Sequence, residues 1–420
     1  MKKTDGIIRV GGVGTGRIFQ WAHLRAYPPF GEQARLVGFY DLATERAREA
    51  RDKYQGMLAE WAEKHPDRAD DYRANIAELL VHESLQALLD QVDAVDIATH
   101  ARGRMPTAIA AFEKDVSAMA EKPMARTWTE ADRAARVLAR HPGAIFQLND
   151  DNVFEPKYRL IRDLIARGEI GEVQTATLIR GSGLDSKTVL KAQANGLENG
   201  GGCLMDYGSH GLAGVFSLFP RGYRPVKVKA VQIGVLYPHR VLEDEPFIME
   251  VDDNAQVKVM MENPETGAWA TVFLEATWCG GHIGRGEEKP GSQGGGYLEL
   301  VGDKAVIRST SFTSMQIQYY SGGVEEIPLI QYPGESVSVH DEMNAFFCAF
   351  REDREPEIDI HFGADVIAVC GAAYLSALRR EAVTLEEFKD FSRDFVARLG
   401  DGEKADDAIV LELLKPYRRR

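Results

Sequence analysis

Between Ile7 and Trp21 an apolar run, four glycines within six residues and a helix-forming stretch follow one another without a break. Ile7-Ile8-Arg9-Val10 has the pattern of a buried strand, Gly11-Gly12-Val13-Gly14-Thr15-Gly16 is a turn, and Arg17-Ile18-Phe19-Gln20-Trp21 opens a helix. A strand that passes through glycines into a helix begins a βαβ unit, which commits the chain to a parallel sheet with helices on its faces. Glycines let the backbone approach a pyrophosphate, and the first amides of the helix point donors at it. The register departs from the dinucleotide fingerprint at its third glycine. Counted from Gly14 that position is Phe19, and counted from Gly12 it is Arg17. On these residues alone a ligand-free tight turn is the alternative.

The next strand favours the nucleotide. Arg35-Leu36-Val37-Gly38-Phe39-Tyr40 is β-like and ends in Asp41, 27 residues after Gly14. An acidic side chain there accepts hydrogen bonds from adenosine ribose hydroxyls and repels a 2′-phosphate, and neither Leu42 nor Ala43 offers that phosphate a cation. The expected cofactor is therefore NAD, with NADP disfavoured. Residues 43–91 read as mainly helical and charged; from Gln55 to Asn75 they add helical length, with Trp61 and Tyr72 as packing residues. Val92 to Ala98 forms a third strand that ends at Thr99-His100. A helix over 105–114 and a strand over 116–120 lead to Glu121-Lys122-Pro123. The proline ring disfavours helical backbone at Lys122, so its ammonium is held at a strand end, where ligands bind in open α/β sheets. Thr127-x-x-Glu130 predicts a capping box at the start of a helix reaching about Arg140, and 144–148 is a last strand. Residues 1–148 thus read as a doubly wound parallel sheet.

After that the pattern changes. Pro156 to Arg167 is a helix stopped by Gly168. Gly200 to His210 is a glycine-rich lead into an apolar helix ending near Phe219. β-like runs follow at 226–236, 254–261, 269–278, 296–301, 304–309 and 315–320, with helices near 338–352, 363–380 and 385–397. Clustered strands with few helices between them predict a large, mostly antiparallel sheet in an α+β domain over 149–420. The loops 182–199 and 280–296 are expected to shape a substrate pocket.

Composition narrows the class. A hydrophobic fraction of 44% and a charged fraction of 27% are those of a globular protein, and no apolar run is read as reaching the ~18 residues of a membrane span. The opening residues show no signal-peptide pattern, which predicts the cytoplasm. A net charge of −14 argues against nucleic-acid and anionic-membrane partners. Cys203, Cys279, Cys348 and Cys370 form no metal or disulfide pattern and are expected to be buried free thiols. No metal site is expected.

In this order and spacing the motifs resemble those of the glucose–fructose oxidoreductase / inositol 2-dehydrogenase / MocA (Gfo/Idh/MocA) family of oxidoreductases. The similar stretches are Gly14 to Ile18, Asp41, Val92 to Thr99, Glu121-Lys122-Pro123, Gly168 to Val173, Gly201 to His210 and Val251 to Ala255. The resemblance implies an N-terminal Rossmann domain, a C-terminal open sheet often used for dimer or tetramer packing, and oxidation of a secondary hydroxyl of a sugar, inositol or related polyol. Lys122 matches the family's active-site lysine, and Asp206 and His210 match its Asp-x-x-x-His pair. Cofactor contacts are expected from Gly14, Thr15, Gly16, Arg17, Ile18, Asp41, Thr99, His100, Arg104, Glu121 and Lys122. Substrate contacts are expected from Lys122, Asn149, Asn152, Asp206 and His210. His100 stands where the family usually has proline, and Arg104, 17 positions before Glu121, where it commonly has histidine. Asn149-Asp150-Asp151-Asn152 replaces a commoner arginine-bearing segment, which implies a distinct substrate. His210 is the candidate base, since an unperturbed imidazole titrates near 6.5. Asp206 is expected to bind a neighbouring hydroxyl or orient the imidazole, and Lys122 to hydrogen-bond the reacting oxygen. Two other readings share the fold: redox-assisted glycoside cleavage with retained NAD, and a non-catalytic NAD sensor.

Overall fold

A computed structural model of the chain describes residues 6–181, 191–220, 222–279, 297–309, 314–329 and 337–418. Of the expected pocket loops 182–199 and 280–296, residues 182–190 of the first and all of the second lie outside the described residues. The chain divides into two compact units: Met1–Met124, Asp132–Phe154 and Tyr332–Phe362 in the first, Ala125–Ala131, Glu155–Gln331 and Gly363–Arg420 in the second. Neither is one continuous stretch, so their make-up differs from the expected division at residue 148.

The first unit is built on β1 (Ile8–Val13), β2 (Ala34–Tyr40), β3 (Leu80–Val81), β4 (Ala94–Ile97), β5 (Ser117–Glu121) and β6 (Phe146–Asn149). Their order across the sheet is β3-β2-β1-β4-β5-β6, and every neighbouring pair is parallel. This is the doubly wound order, reversing between β1 and β4. Residues of β4 and β6 are buried throughout, which is why those strands read as short runs without clear alternation. β3 escaped the sequence reading because two residues carry no periodicity; its pairing with Gly38 and Phe39 makes it a strand. The helix Val337–Glu352 belongs to this unit because Met343, Phe346, Phe347 and Phe350 fall on one helical face and join the core of Tyr27, Phe30 and Phe39. Phe30 and Phe347 meet edge to face at 5.1 Å. Tyr72 is buried in the same core, and Trp61 packs against it, as expected of packing residues.

The second unit is organised by β7 (Val173–Gly181), β8 (Arg224–Gly234), β9 (His239–Leu242), β10 (Glu245–Ile248), β11 (Asn254–Asn263), β12 (Ala268–Thr277), β13 (Tyr297–Gly302), β14 (Ala305–Ser309), β15 (Ser314–Tyr319), β16 (Val324–Pro328) and β17 (Val383–Thr384). Nine of these form one sheet in the order β16-β15-β14-β13-β7-β12-β11-β8-β17, with β7 and β12 parallel and the other neighbours antiparallel. β9 and β10 make a separate hairpin. That hairpin, β16, β17 and the helix Glu403–Leu414 were not read from the sequence. The helix earns its place through Ile409, Val410, Leu413 and Leu414, all buried. The expected capping box is only half formed. Glu130 N–H donates to Thr127 Oγ1 at 3.2 Å, but the Glu130 carboxylate turns to the backbone and guanidinium of Arg126.

One expectation needs correction. The helix Ile360–Arg379 is long and apolar enough to cross a membrane, although 78% of its most apolar window is buried, as in a core helix. The apolar stretch was overlooked because Asp365 and small residues break its appearance. All four cysteines are free; Cys203, Cys279 and Cys370 are buried and Cys348 is half-buried.

Candidate active site

Parallel register gathers the first unit's site residues along one sheet edge. Val13 pairs with both Tyr40 and Ile97, Ile97 with Ala120, and Glu121 with Asn149. The residues that follow each strand end therefore emerge side by side: Gly14, Asp41, Thr99 and Lys122, with Asn149 closing β6. This is the carboxyl edge at the switch point, where an open α/β sheet binds its ligand.

Gly14 has φ +79°, and a Cβ there would lie 2.7 Å from the Thr99 backbone nitrogen, so the turn admits only glycine. Gly16 faces open space, and Arg17 and Ile18 begin the helix with exposed side chains. Phe19 occupies the third glycine position because its buried ring lies over the Gly12 backbone and edge-on to Phe39 at 6.5 Å. It secures strand-to-helix packing by filling space rather than by vacating it. Asp41 accepts the Thr15 N–H at 2.9 Å, the Ala43 N–H at 2.8 Å and the Arg46 guanidinium at 2.8 Å. Asp41 thus braces the turn. Arg46 corrects the cation argument: five residues beyond Asp41, it brings positive charge where Leu42 and Ala43 bring none.

These residues fit a dinucleotide. Thr15 Oγ1 is fully buried and without a hydrogen-bond partner among the described residues, at the point where a pyrophosphate would meet the helix amides. At the far side of the edge, Asn149 and Asn152 are both buried. Gln147 donates to Asn149 Oδ1 at 3.3 Å, and Asn149 Nδ2 has no partner among the described residues. His100 is exposed, at the extended residue that opens the helix Ala101–Phe112. Arg104, one turn into that helix and 7% exposed, donates to the Pro123 carbonyl. The departure from histidine is thereby explained: Arg104 ties down the segment that carries Lys122. Glu121 Oε2 accepts the Lys122 N–H at 3.1 Å.

Asp206 and His210 lie in the second unit. The helix that carries them starts with a π-turn over Leu204–Gly208, closed by Ser209 N–H to Leu204 O, and continues over Ser209–Phe216. Asp206 and His210 are therefore one widened turn apart, a geometry that recurs at functional sites. Trp278 Nε1 donates to Asp206 Oδ2 at 3.2 Å, and Gln193 Nε2 reaches the same oxygen at 3.5 Å. His210 is buried at 7% exposure.

Asp252 sets the start of this helix. Its carboxylate accepts Gly202 N–H at 3.0 Å, Leu204 N–H at 2.9 Å, the Tyr374 hydroxyl at 2.6 Å and the Cys203 thiol at 3.3 Å. Burial pushes the carboxyl above its usual range, while these donors pull it back. Gly202 is obligatory, since a Cβ would lie 1.9 Å from the Asp252 carbonyl oxygen. Sequence reasoning noted Val251 to Ala255 only as a similar stretch and gave Asp252 no role. Trp278, 72 residues from Asp206, left no sequence signal at all.

Comparison with known proteins gives a consistent picture. Residues 8–149 match the oxidoreductase family with an NAD-binding Rossmann fold of the GFO/IDH/MocA type, and residues 158–308 match the GFO/IDH/MocA C-terminal domain. No protein of curated function matches the sequence. Among solved structures the chain is similar to levoglucosan dehydrogenase in complex with NADH and levoglucosan, at 20% identity and TM-score 0.72, covering 90% of this chain and 99% of that one. It is similar also to an oxidoreductase domain protein from Kribbella flavida, at 20% identity and TM-score 0.74, with the same coverage. UDP-N-acetylglucosamine 3-dehydrogenase from Acidithiobacillus ferrooxidans matches at 17% identity and TM-score 0.64, over 88% of this chain and 97% of that one. At these identities the likeness is one of fold.

Proposed function

The chain belongs to the Gfo/Idh/MocA family of NAD-binding oxidoreductases, and from that premise we propose that it oxidises a secondary hydroxyl of a sugar, inositol or related polyol to a ketone. The observation that carries this reading is the register that brings Lys122 out of β5 on the same sheet edge as the glycine turn. The sugar class is supported by the substrates named for the similar levoglucosan and UDP-N-acetylglucosamine dehydrogenases.

The bound nicotinamide supplies the acceptor for the hydride from the carbinol carbon. The protein's own residues do the rest. Lys122 donates a hydrogen bond to the reacting oxygen and stabilises its alkoxide character. His210 Nδ1 or Nε2 takes the hydroxyl proton. Asp206, held by the Trp278 indole, accepts from a neighbouring substrate hydroxyl and fixes which carbon is presented. Copies of the chain associate through the outer face of the large sheet, where Trp269 and Phe273 are exposed and Lys258 lies 5.5 Å over the Phe273 ring.

Two variants test the assignment. Lys122→Met and His210→Asn should each keep NAD binding, measured by calorimetry, while kcat falls by ~100-fold or more. Unchanged turnover in either variant would remove that residue from the chemistry.

A further inference from the structure

Behind the Lys122 segment the first unit holds a buried polar chain that the proposed chemistry does not use. His23 lies in the helical stretch after the glycine turn, with its side chain fully buried. Its Nδ1 is 2.9 Å from both carboxylate oxygens of Asp96, and its Nε2 is 3.0 Å from Glu121 Oε1. Asp96, fully buried in β4, also accepts the Tyr27 hydroxyl at 2.9 Å. Glu121 passes the connection on, because its second oxygen holds the Lys122 N–H.

An imidazole with an ionised carboxylate on each nitrogen donates from both, which is the imidazolium form. We propose that His23 is a positioning residue for Lys122: as a buried cation between Asp96 and Glu121, it fixes the Glu121 carboxylate and, through it, the backbone from which the lysine projects. The proposal rests on the reading of Lys122 as the group that meets the reacting oxygen.

The surroundings agree. Burial alone would lower the His23 pKa, but Asp96 and then Glu121 hold it well above its usual value. Burial would raise Glu121, and His23, Arg104 and Lys122 instead bring it below the usual carboxylate range. Glu342, on the helix Val337–Glu352, is pushed well up by burial and then by Glu121 and Asp151. His23 thus stands between two carboxylates, with Arg104 and Lys122 as further positive charges near Glu121. Removing the imidazolium would leave Glu121 facing Lys122 without its main counter-charge.

The test reads Lys122 itself. The pH dependence of Lys122 acylation, mapped by mass spectrometry, is measured in the holoprotein as wild type, His23→Gln and His23→Gln/Glu121→Gln. We expect the His23→Gln midpoint to rise by about one pH unit, since an uncompensated carboxylate favours the ammonium. The double variant should return it towards wild type. A role in packing alone predicts equal midpoints in the single and double variants, and that result overturns the proposal. Nitrogen-15 shifts of the His23 ring in the wild type need no variant: a doubly protonated ring at pH 7.5 supports the proposal, and a neutral ring overturns it. The expected midpoints in a protein that oxidises no polyol would uphold the positioning role and remove only the catalytic reading of Lys122.

Discussion

The expected preference for NAD over NADP rests on a few side chains at the end of β2. Asp41 is already engaged by Thr15, Ala43 and Arg46, so its charge is partly neutralised before any ribose arrives. Asp41→Ala should raise KM for NAD ~10-fold or more, consistent with loss of a hydrogen bond to a charged acceptor. The same change releases Arg46 to meet a 2′-phosphate, so the preference for NAD over NADP should narrow in steady-state kinetics. An unchanged NAD/NADP ratio would show that Asp41 only braces the turn. What was legible at this scale was local. The glycine turn, Asp41 and Glu121-Lys122-Pro123 announce themselves within a few neighbours, and Arg46 was within reach of the same reading. Trp278 and His23 were not, because their partners Asp206, Asp96 and Glu121 are brought to them by the fold rather than by spacing.

The helix over Leu204–Phe216 depends on an aspartate from another element. Four donors converge on Asp252, two of them the backbone amides that begin the helix. Asp252→Ala leaves these buried donors without their acceptor, and should cost about 3 kcal/mol in urea unfolding. Because the displaced turn carries Asp206 and His210, kcat should fall in the protein that remains folded. A stability loss with kcat unchanged would separate the cap from the site. The sequence reading had a glycine-rich lead over 200–210 and a helix ending near Phe219, whereas the helix starts at Leu204 with a π-turn and ends at Phe216, and no periodicity encodes that turn. Elements of two residues, β3 and β17, were invisible for the simpler reason that pairing alone defines them.

The whole molecule inherits a pH signature from the buried imidazolium. In the folded state the His23 pKa stands well above 6.5, its usual value in an unfolded chain. The folded state therefore keeps a proton that the unfolded chain releases as pH rises, so stability falls as pH climbs from about 6.5 towards the folded pKa. The stability gap between wild type and His23→Gln should be widest near pH 6 and shrink by pH 9, as read from urea midpoints. A gap independent of pH would mean that the ring stabilises by packing. At this scale the sequence revealed two classes of architecture but not how the units are assembled from separate stretches. A helix near 338–352 was expected, while its allegiance to the core of Tyr27 and Phe30 is a tertiary fact. The most direct measurement of the proposed reaction is growth of the NADH absorbance band when the protein and NAD meet a panel of inositols, aldoses, anhydrosugars and glycosides. We expect NADH to accumulate with one polyol class, and the signal to vanish in His210→Asn. NAD that binds but is never reduced by any member of the panel, or glycosides cleaved with the cofactor returned to its oxidised form, would contradict the dehydrogenase reading.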